Sequence, residues 1–362
     1  MNNYIQQFSN TFYRLQIAAD VPMIVRVLRY RQLRHLYYEQ YWKTAANSIG
    51  ARIAACDGGY FRISRDGQVT LVKQTMVMLD NQLLLNVMGN KKLTNTLMHE
   101  CGFECIEHEA FSMNTFKKAV SFLERQQGPV VIKPMSGTGG GRGVTTGIYT
   151  YADLKRAARL AARFGHNVLV EKQVEGDSYR LLFLGGEFVD AVRRDPPVVV
   201  GDGKSTIRNL IKQENKARIS APPFRALSPL VIDTDCKNWI SHQHISLSNV
   251  PTPGDVVQVK RAVNENDFSG NVNVRSRVNR EIMERCQELV KRLGIQFAGV
   301  DLICRDISGP YHPENCIIGE VNTTPGPHHH ALISNPADAV PVGQIVLEYM
   351  FDNDIGVMHL GR

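Results

Sequence analysis

From about residue 21 to residue 50, apolar and aromatic side chains recur at intervals of three and four, the spacing that gathers them on one side of a helix. The next segment, ARIAACDGGYFRISRDGQVTLVK, is broken at Asp57-Gly58 and Asp66-Gly67 and reads as short strands joined by turns. Together these predict an N-terminal α/β unit over residues 1–88. Helical spacing resumes after Asn90 in KKLTNTLMHECGF, with Gly102 placed to end the helix. A helix near 115–126, the strand PVVIKP, a glycine-rich loop, a short strand near 144–150, a helix near 152–164 and the strand NVLVEK complete a second unit over 89–174.

Past residue 175 the pattern turns strand-rich. SYRLLFLGG and EFVDAVRR precede GDGKSTIRNLIKQEN, a turn entering a helix capped by Ser205 or Thr206. Residues 215–280 are polar with little sustained period, which predicts an inserted region or a lid. Order returns with a helix over 278–293 and the strands FAGVDLIC and NCIIGEVN, so 175–362 forms a third unit. The fold class is α/β in the broad sense, α+β in its segregation of helices and sheets.

Composition changes this picture little. The 362 residues are 43% hydrophobic and 21% charged, ordinary for a folded chain. No apolar run approaches the roughly 18 residues of a membrane span, and the N-terminus lacks a secretory pattern, so a cytosolic protein is expected. Seven cysteines without regular spacing read as reduced thiols, the C-x3-C pair Cys101 and Cys105 included. The net charge of +7 is spread, densest in RVLRYRQLRH. No zinc finger, RNP-type motif or basic tail accompanies it, so an anionic small molecule accounts for the charge better than nucleic acid. His328, His329 and His330 invite a metal, but a solvated or substrate-facing loop is the simpler reading.

Candidate chemistry begins at VVIKPMSGTGGGRGV, where a strand and Lys133 precede five glycines within seven positions. Such bare backbone suits a phosphate chain, and equally a flexible turn. A Rossmann fingerprint fails because Arg142 occupies the last glycine's place, and VVVGDGKST misses the Walker pattern at Val198. Farther on, Asp301 lies in one strand, and Glu320 and Asn322 lie two apart in another, hence on one face. Three oxygen-bearing side chains converging from neighbouring strands suit Mg²⁺ shared with nucleotide phosphates.

In this order, the motifs resemble those of the ATP-grasp ligases. Similarity is greatest to the ATP-grasp portion of cyanophycin synthetases and bifunctional glutathione synthetases. It is carried by NKKLTNTLMHECGF, VVIKPMSGTGGGRGV, VLVEKQVEGDSYRLLFLGG, RRDPPVVVGDGKSTIRNLI, VPTPGDVV, FAGVDLI and EVNTTPG, and spans about residues 36 to 330. The resemblance implies an ATP-grasp fold with an N-terminal α/β domain, a small glycine-loop subdomain and a C-terminal mixed-sheet domain. It implies ATP as the nucleotide, with Lys91 and Lys133 at its phosphates and Gly137, Gly139, Gly140, Gly141 and Gly143 folding over them. Glu171, Lys172 and Val174 would hold the adenine edge, and Ser178 would stand near the ribose, where many relatives carry a carboxylate. Arg180 and Arg194 would face the transferred phosphoryl group or the bound carboxylate. Asp301, Glu320 and Asn322 would hold two Mg²⁺ ions.

Departures from the family pattern bear on the substrates. The glycine loop is one residue longer than usual, and NENDFSGNVN keeps Ser269 and Gly270 of a substrate-side segment but loses its second glycine. No Mur-ligase-like segment follows, so a single ligation is expected. The resulting expectation is an ATP-dependent carboxylate–amine ligase working through an acyl phosphate on small-molecule substrates, with no membrane partner and a homodimer as a compatible state. A phosphotransferase on the same scaffold, or a non-catalytic nucleotide-binding protein, is the alternative.

Overall fold

A computed structural model describes residues 21–135, 143–220, 228–261 and 270–360. The chain enters on a long helix, α1 (Val21–Ser48), and three antiparallel strands, β1 (Arg52–Cys56), β2 (Tyr60–Arg65) and β3 (Gln68–Val72). Asp66 and Gly67, both at positive φ, form the two-residue link that closes Arg65 on Gln68. That conformation matches the twist of the flanking strands and explains the Asp-Gly pair. Two short helices follow, α2 (Gln82–Met88) and α3 (Lys91–Glu100). The side chains of Asn81 and Asn90 cap them by accepting from the amides of Leu84 and Leu93.

The second unit comprises β4 (His108–Phe111), α4 (Lys117–Arg125), β5 (Val130–Pro134), β6 (Thr145–Ile148), α5 (Tyr151–Ala161) and β7 (Val168–Lys172). Its strands form one antiparallel sheet in the order β4-β7-β5-β6. One face packs on the two helices around Phe111, Phe122, Ile132, Ile148 and Leu154.

The central sheet follows. Strands β8 (Asp177–Leu184) and β9 (Glu187–Arg194) form a hairpin. The chain then leaves through β10 (Val198–Val200), α6 (Ile207–Arg218), α7 (Thr234–His242) and β11 (Val256–Gln258), and returns as β12 (Asn271–Asn273). Helix α8 (Arg280–Leu293) and strands β13 (Phe297–Cys304) and β14 (Cys316–Thr323) complete a sheet ordered β12-β9-β8-β13-β14. Every neighbouring pair in it is antiparallel, so this sheet is not mixed as expected: hairpin links need no crossover. A one-turn helix α9 (His328–Ala331), helix α10 (Val342–Asp352) and strand β15 (Met358–His359) end the described chain.

Several sequence expectations change here. Residues 215–280 are not simply irregular. Their described part contributes to a small body in which β10 and β11 pair and α6 and α7 enclose Ile207, Leu210, Ile211, Ile240 and Val257. So small a body is mostly surface, and its polar composition hid the apolar stripe. Thr206 is the cap of α6, accepting from the amide of Asn209. The N-terminal strands are closed by the far end of the chain, since β15 pairs with β3. Tyr38 and Trp42 of α1 pack with Leu182 and Leu184 of β8 and with Val346 and Leu347 of α10 in one shared core. The cysteines are not all free: Cys304 and Cys316, 12 residues apart and directly opposite across β13 and β14, form a disulfide with Cα atoms 4.2 Å apart. Spacing in sequence could not show this, because strand register sets it. Among the described residues no helix is long and apolar enough to cross a membrane.

Candidate active site

Alternation divides the central sheet into two unlike faces. Tyr179, Leu181, Ala191, Ala298 and Val300 point toward α8 and form the largest core with Ile282, Leu289 and Val290. On the other face, register aligns Arg180 with Asp301 and Val192, Asp301 with Glu320, Ser178 with Arg194, and Gly299 with Asn322. Residues directly opposite in antiparallel strands share a face, so the charged side chains form one row across four strands. The far end of that face, at Leu182 and Leu184, is covered by α1 and α10, which leaves the charged end available.

Within the row, Arg180 binds Asp301 through both guanidinium edges, Nε to Oδ1 at 2.6 Å and Nη2 to Oδ2 at 2.7 Å. Arg194 Nη1 stands 3.7 Å from Asp301 Oδ2, and Asn322 Nδ2 donates to the same oxygen at 3.1 Å. Burial alone would raise the Asp301 pKa. The two arginines and the amide outweigh it and hold the carboxyl below its usual range. A break in register between Asp301 and Leu302 lies at the point where the metal candidates meet.

Helix α3 and the smaller sheet bring the remaining charges. Lys91, in the first turn of α3, reaches Glu320 Oε1 at 3.0 Å. Burial disfavours its ammonium, but Glu320, with Glu171 and Asp301 behind it, holds the Lys91 pKa above the ordinary lysine value. Lys133 of β5 meets Glu171 of the adjacent β7 at 2.5 Å. A narrow cleft between the two sheets is lined by Met88, Lys91, Thr94, Lys133, Gly319 and Glu320. A wider groove of about 660 Å³ lies at the opposite end of β8 and β9, around Leu184, Phe188 and Ile345. It lacks this convergence of acids and bases, so the chemistry is assigned to the narrow cleft.

Most predicted residues therefore come together: Lys91, Lys133, Glu171, Arg180, Arg194, Asp301, Glu320 and Asn322. Ser178 is half-buried on the same face, opposite Arg194. Val174 is half-buried just beyond β7. Lys172 does not join the cluster. It follows Glu171 in the strand, so its exposed side chain points to the other face, and its amide donates to Glu107 O. Gly143 adopts φ +78, and a Cβ there would come 2.7 Å from Phe164 Cδ2. Gly137, Gly139, Gly140, Gly141 and Ser269 lie outside the described residues.

The histidine triplet departs most from expectation. His328, His329 and His330 form α9 and are fully buried, not solvated, because α9 packs on β9 and β12. His328 Nδ1 lies 2.5 Å from the Tyr38 hydroxyl, and His330 Nδ1 lies 2.7 Å from Asp190 Oδ2. Burial, reinforced by Arg180 and Arg194, holds the pKa values of His328 and His329 well below the ordinary imidazole range. Asp190 was missed in the sequence because it sits inside an apolar strand. Its one legible signal is its place four residues before Arg194, which puts both on one face. Also missed was Asp235, which accepts from Thr146 Oγ1 at 3.0 Å and so ties α7 to the strand leaving the glycine loop.

The donor set fits Mg²⁺ better than a soft metal. Asp301, Glu320 and Asn322 offer oxygen ligands on one face, while the described residues hold no group of three or more His, Cys, Asp or Glu side chains able to bind a metal. Such a site relies on phosphate and water for the remaining ligands.

Residues 90–179 match the family profile described as carbamoyl-phosphate synthase L chain, ATP binding domain. Cyanophycin synthetase of Trichormus variabilis is 28% identical over 229 residues, covering 62% of this chain and 25% of that protein. The glutathione biosynthesis bifunctional protein of Listeria innocua is 22% identical over 356 residues, covering 96% of this chain and 44% of its own length. This chain thus spans less than half of either relative. The crystal structure of a bifunctional glutathione synthetase from Pasteurella multocida superposes with a TM-score of 0.54 at 22% identity, covering 84% of this chain and 42% of that one. With the matched segment and the shared fold in hand, the chain belongs to the ATP-grasp superfamily.

Proposed function

We propose that the protein is an ATP-dependent carboxylate–amine ligase that forms an amide or peptide bond through an acyl phosphate, releasing ADP and phosphate. The observation that carries this reading is the pairing in the cleft: Lys91 with Glu320, Lys133 with Glu171, and Arg180 and Arg194 with Asp301. A magnesium nucleotide brings both signs of charge, so it can take over the partners of acids and bases alike without leaving a buried charge uncompensated. The names of the relatives point to bond formation of the same kind.

In this reading Lys91 and Lys133 bind the phosphates, and the backbone of residues 137 to 143 covers them. Glu171 and the segment through Val174 and Ser178 orient the nucleoside. Asp301, Glu320 and Asn322 would hold Mg²⁺, two ions in the full complex, which supply Lewis-acid neutralisation of the phosphate oxygens. Arg180 positions the carboxylate of the donor substrate, and Arg194 stabilises the oxyanion as the amine adds. The four-stranded unit carrying the glycine loop closes on the central sheet as a subdomain and keeps water from the acyl phosphate.

The test is incubation with ATP, Mg²⁺ and hydroxylamine against pools of amino acids and short peptides. Hydroxamate with stoichiometric ADP is expected and names the carboxylate donor. ADP with a stable phosphorylated product and no hydroxamate would make the protein a phosphotransferase. AMP and pyrophosphate would reject the mechanism.

A further inference from the structure

Three ring nitrogens on α9 are buried with no hydrogen-bond partner among the described residues: Nδ1 and Nε2 of His329, and Nε2 of His330. Native interiors seldom leave such atoms unmatched, because each loses its hydration without return. The His330 ring is held firmly in place. Its Nδ1 lies 2.7 Å from Asp190 Oδ2, and Asp190 Oδ1 accepts from Asn273 Nδ2 at 2.8 Å. Both His330 and Asp190 are completely buried.

An ionised carboxylate only accepts hydrogen bonds, so this contact assigns the ring proton to Nδ1 and leaves a lone pair on Nε2. Asp190 opposes Leu182, and Arg194 opposes Ser178, on one face of the same hairpin, so the base and Arg194 share that face. The fixed charges of Arg180 and Arg194 are close enough to act on the neighbouring His329 ring. A carboxylate that orients an imidazole, with the far nitrogen bare, is the arrangement by which proteins build a general base.

We propose that His330, oriented by Asp190, accepts the proton that the acceptor amine loses in attacking the acyl phosphate. This assignment rests on the ligase reading above. The C–N bond forms, the C–O bond to phosphate breaks, and its electron pair leaves with phosphate. Of the three protons on an incoming ammonium, one stays on the amide nitrogen, one leaves as hydrogen phosphate, and one passes to His330 Nε2 and then to solvent. His330 is the catalytic group in this step and Asp190 a positioning residue.

Two nucleophiles separate this role from a structural one. Hydroxylamine is already uncharged at neutral pH and needs little help from a base, whereas ammonium and amino acids must be deprotonated. The full chain is given ATP, Mg²⁺ and the carboxylate that yields hydroxamate. Hydroxylamine is one nucleophile, and ammonium with the twenty L-amino acids is the other. Both His330→Gln and Asp190→Asn should lower the ratio of amide to hydroxamate by about 100-fold, the range for loss of a general base. Circular dichroism melting confirms that each variant is folded. A ratio within twofold of the unaltered protein would overturn the assignment and leave the orphan nitrogens to buried water. An equal fall in both products would also overturn it, as would hydroxamate from the unaltered protein without amide from any amine. No hydroxamate from the unaltered protein with any carboxylate would instead reject the ligase reading itself.

Discussion

Asp301 does two jobs that pull in one direction. As a proposed metal ligand it must be ionised, and as the partner of two guanidiniums in a largely buried row it is kept so. Removing it by Asp301→Ala takes away the carboxylate that balances Arg180, which is 6% exposed. Stability should fall by about 3–5 kcal/mol, the cost of breaking a buried ion pair from one side, and ATP turnover should be lost. Urea denaturation checks the first outcome and ADP release the second. Adding Arg180→Met should recover much of the stability and none of the turnover, which separates the two jobs.

At the scale of elements, two connections position the nucleotide cleft. Lys91 is aimed by the start of α3, which Asn90 caps, and the strand leaving the glycine loop is tied to α7 by Asp235. Asp235 is 3% exposed and accepts from Thr146 through both hydroxyl and amide. Losing about 1 kcal/mol of hydrogen bonding there should weaken ATP binding roughly 5-fold, in Asp235→Ala and Thr146→Val alike. Fluorescence titration with an ATP analogue measures it, and unchanged affinity in both variants would uncouple α7 from the loop. The contrast between these two connections shows what the sequence made legible. Asn90 and Gly102 announced α3 because caps are local. The Asp235–Thr146 contact joins residues 89 apart and has no local signature.

For the whole molecule, the chain ends are structural. Helix α1 shares a core with α10, and β15 completes the N-terminal sheet, so the two ends stabilise one body. The buried histidines make its stability depend on pH. His328 and His329 stay neutral in the folded state, with pKa values well below the ordinary 6.5, whereas the unfolded chain protonates them near that value. The unfolded state therefore binds more protons below about pH 6.5. Stability from this source is complete above that pH and is lost as pH falls toward the folded pKa values. Each ring contributes up to about 1.4 kcal/mol per pH unit in that window. Urea midpoints measured from about pH 7.5 down to 5.5 should decline, and His329→Gln should flatten the slope. A flat profile in the unaltered protein would show that the rings protonate freely when folded.

The sequence by itself determined the element order, the caps and turns, and the oxygen ligands at Asp301, Glu320 and Asn322. All of these depend on short-range periodicity and on residue types with narrow conformational or chemical preferences. Tertiary structure decided which charges pair and what lies beneath them. Register placed Arg180 against Asp301 and Cys304 against Cys316, and turned Lys172 away from the cleft. Packing of α9 on β9 and β12 buried three histidines that local polarity had assigned to solvent, and set His330 on Asp190. Burial and register are properties of elements brought together from distant parts of the chain, so no window of sequence contains them.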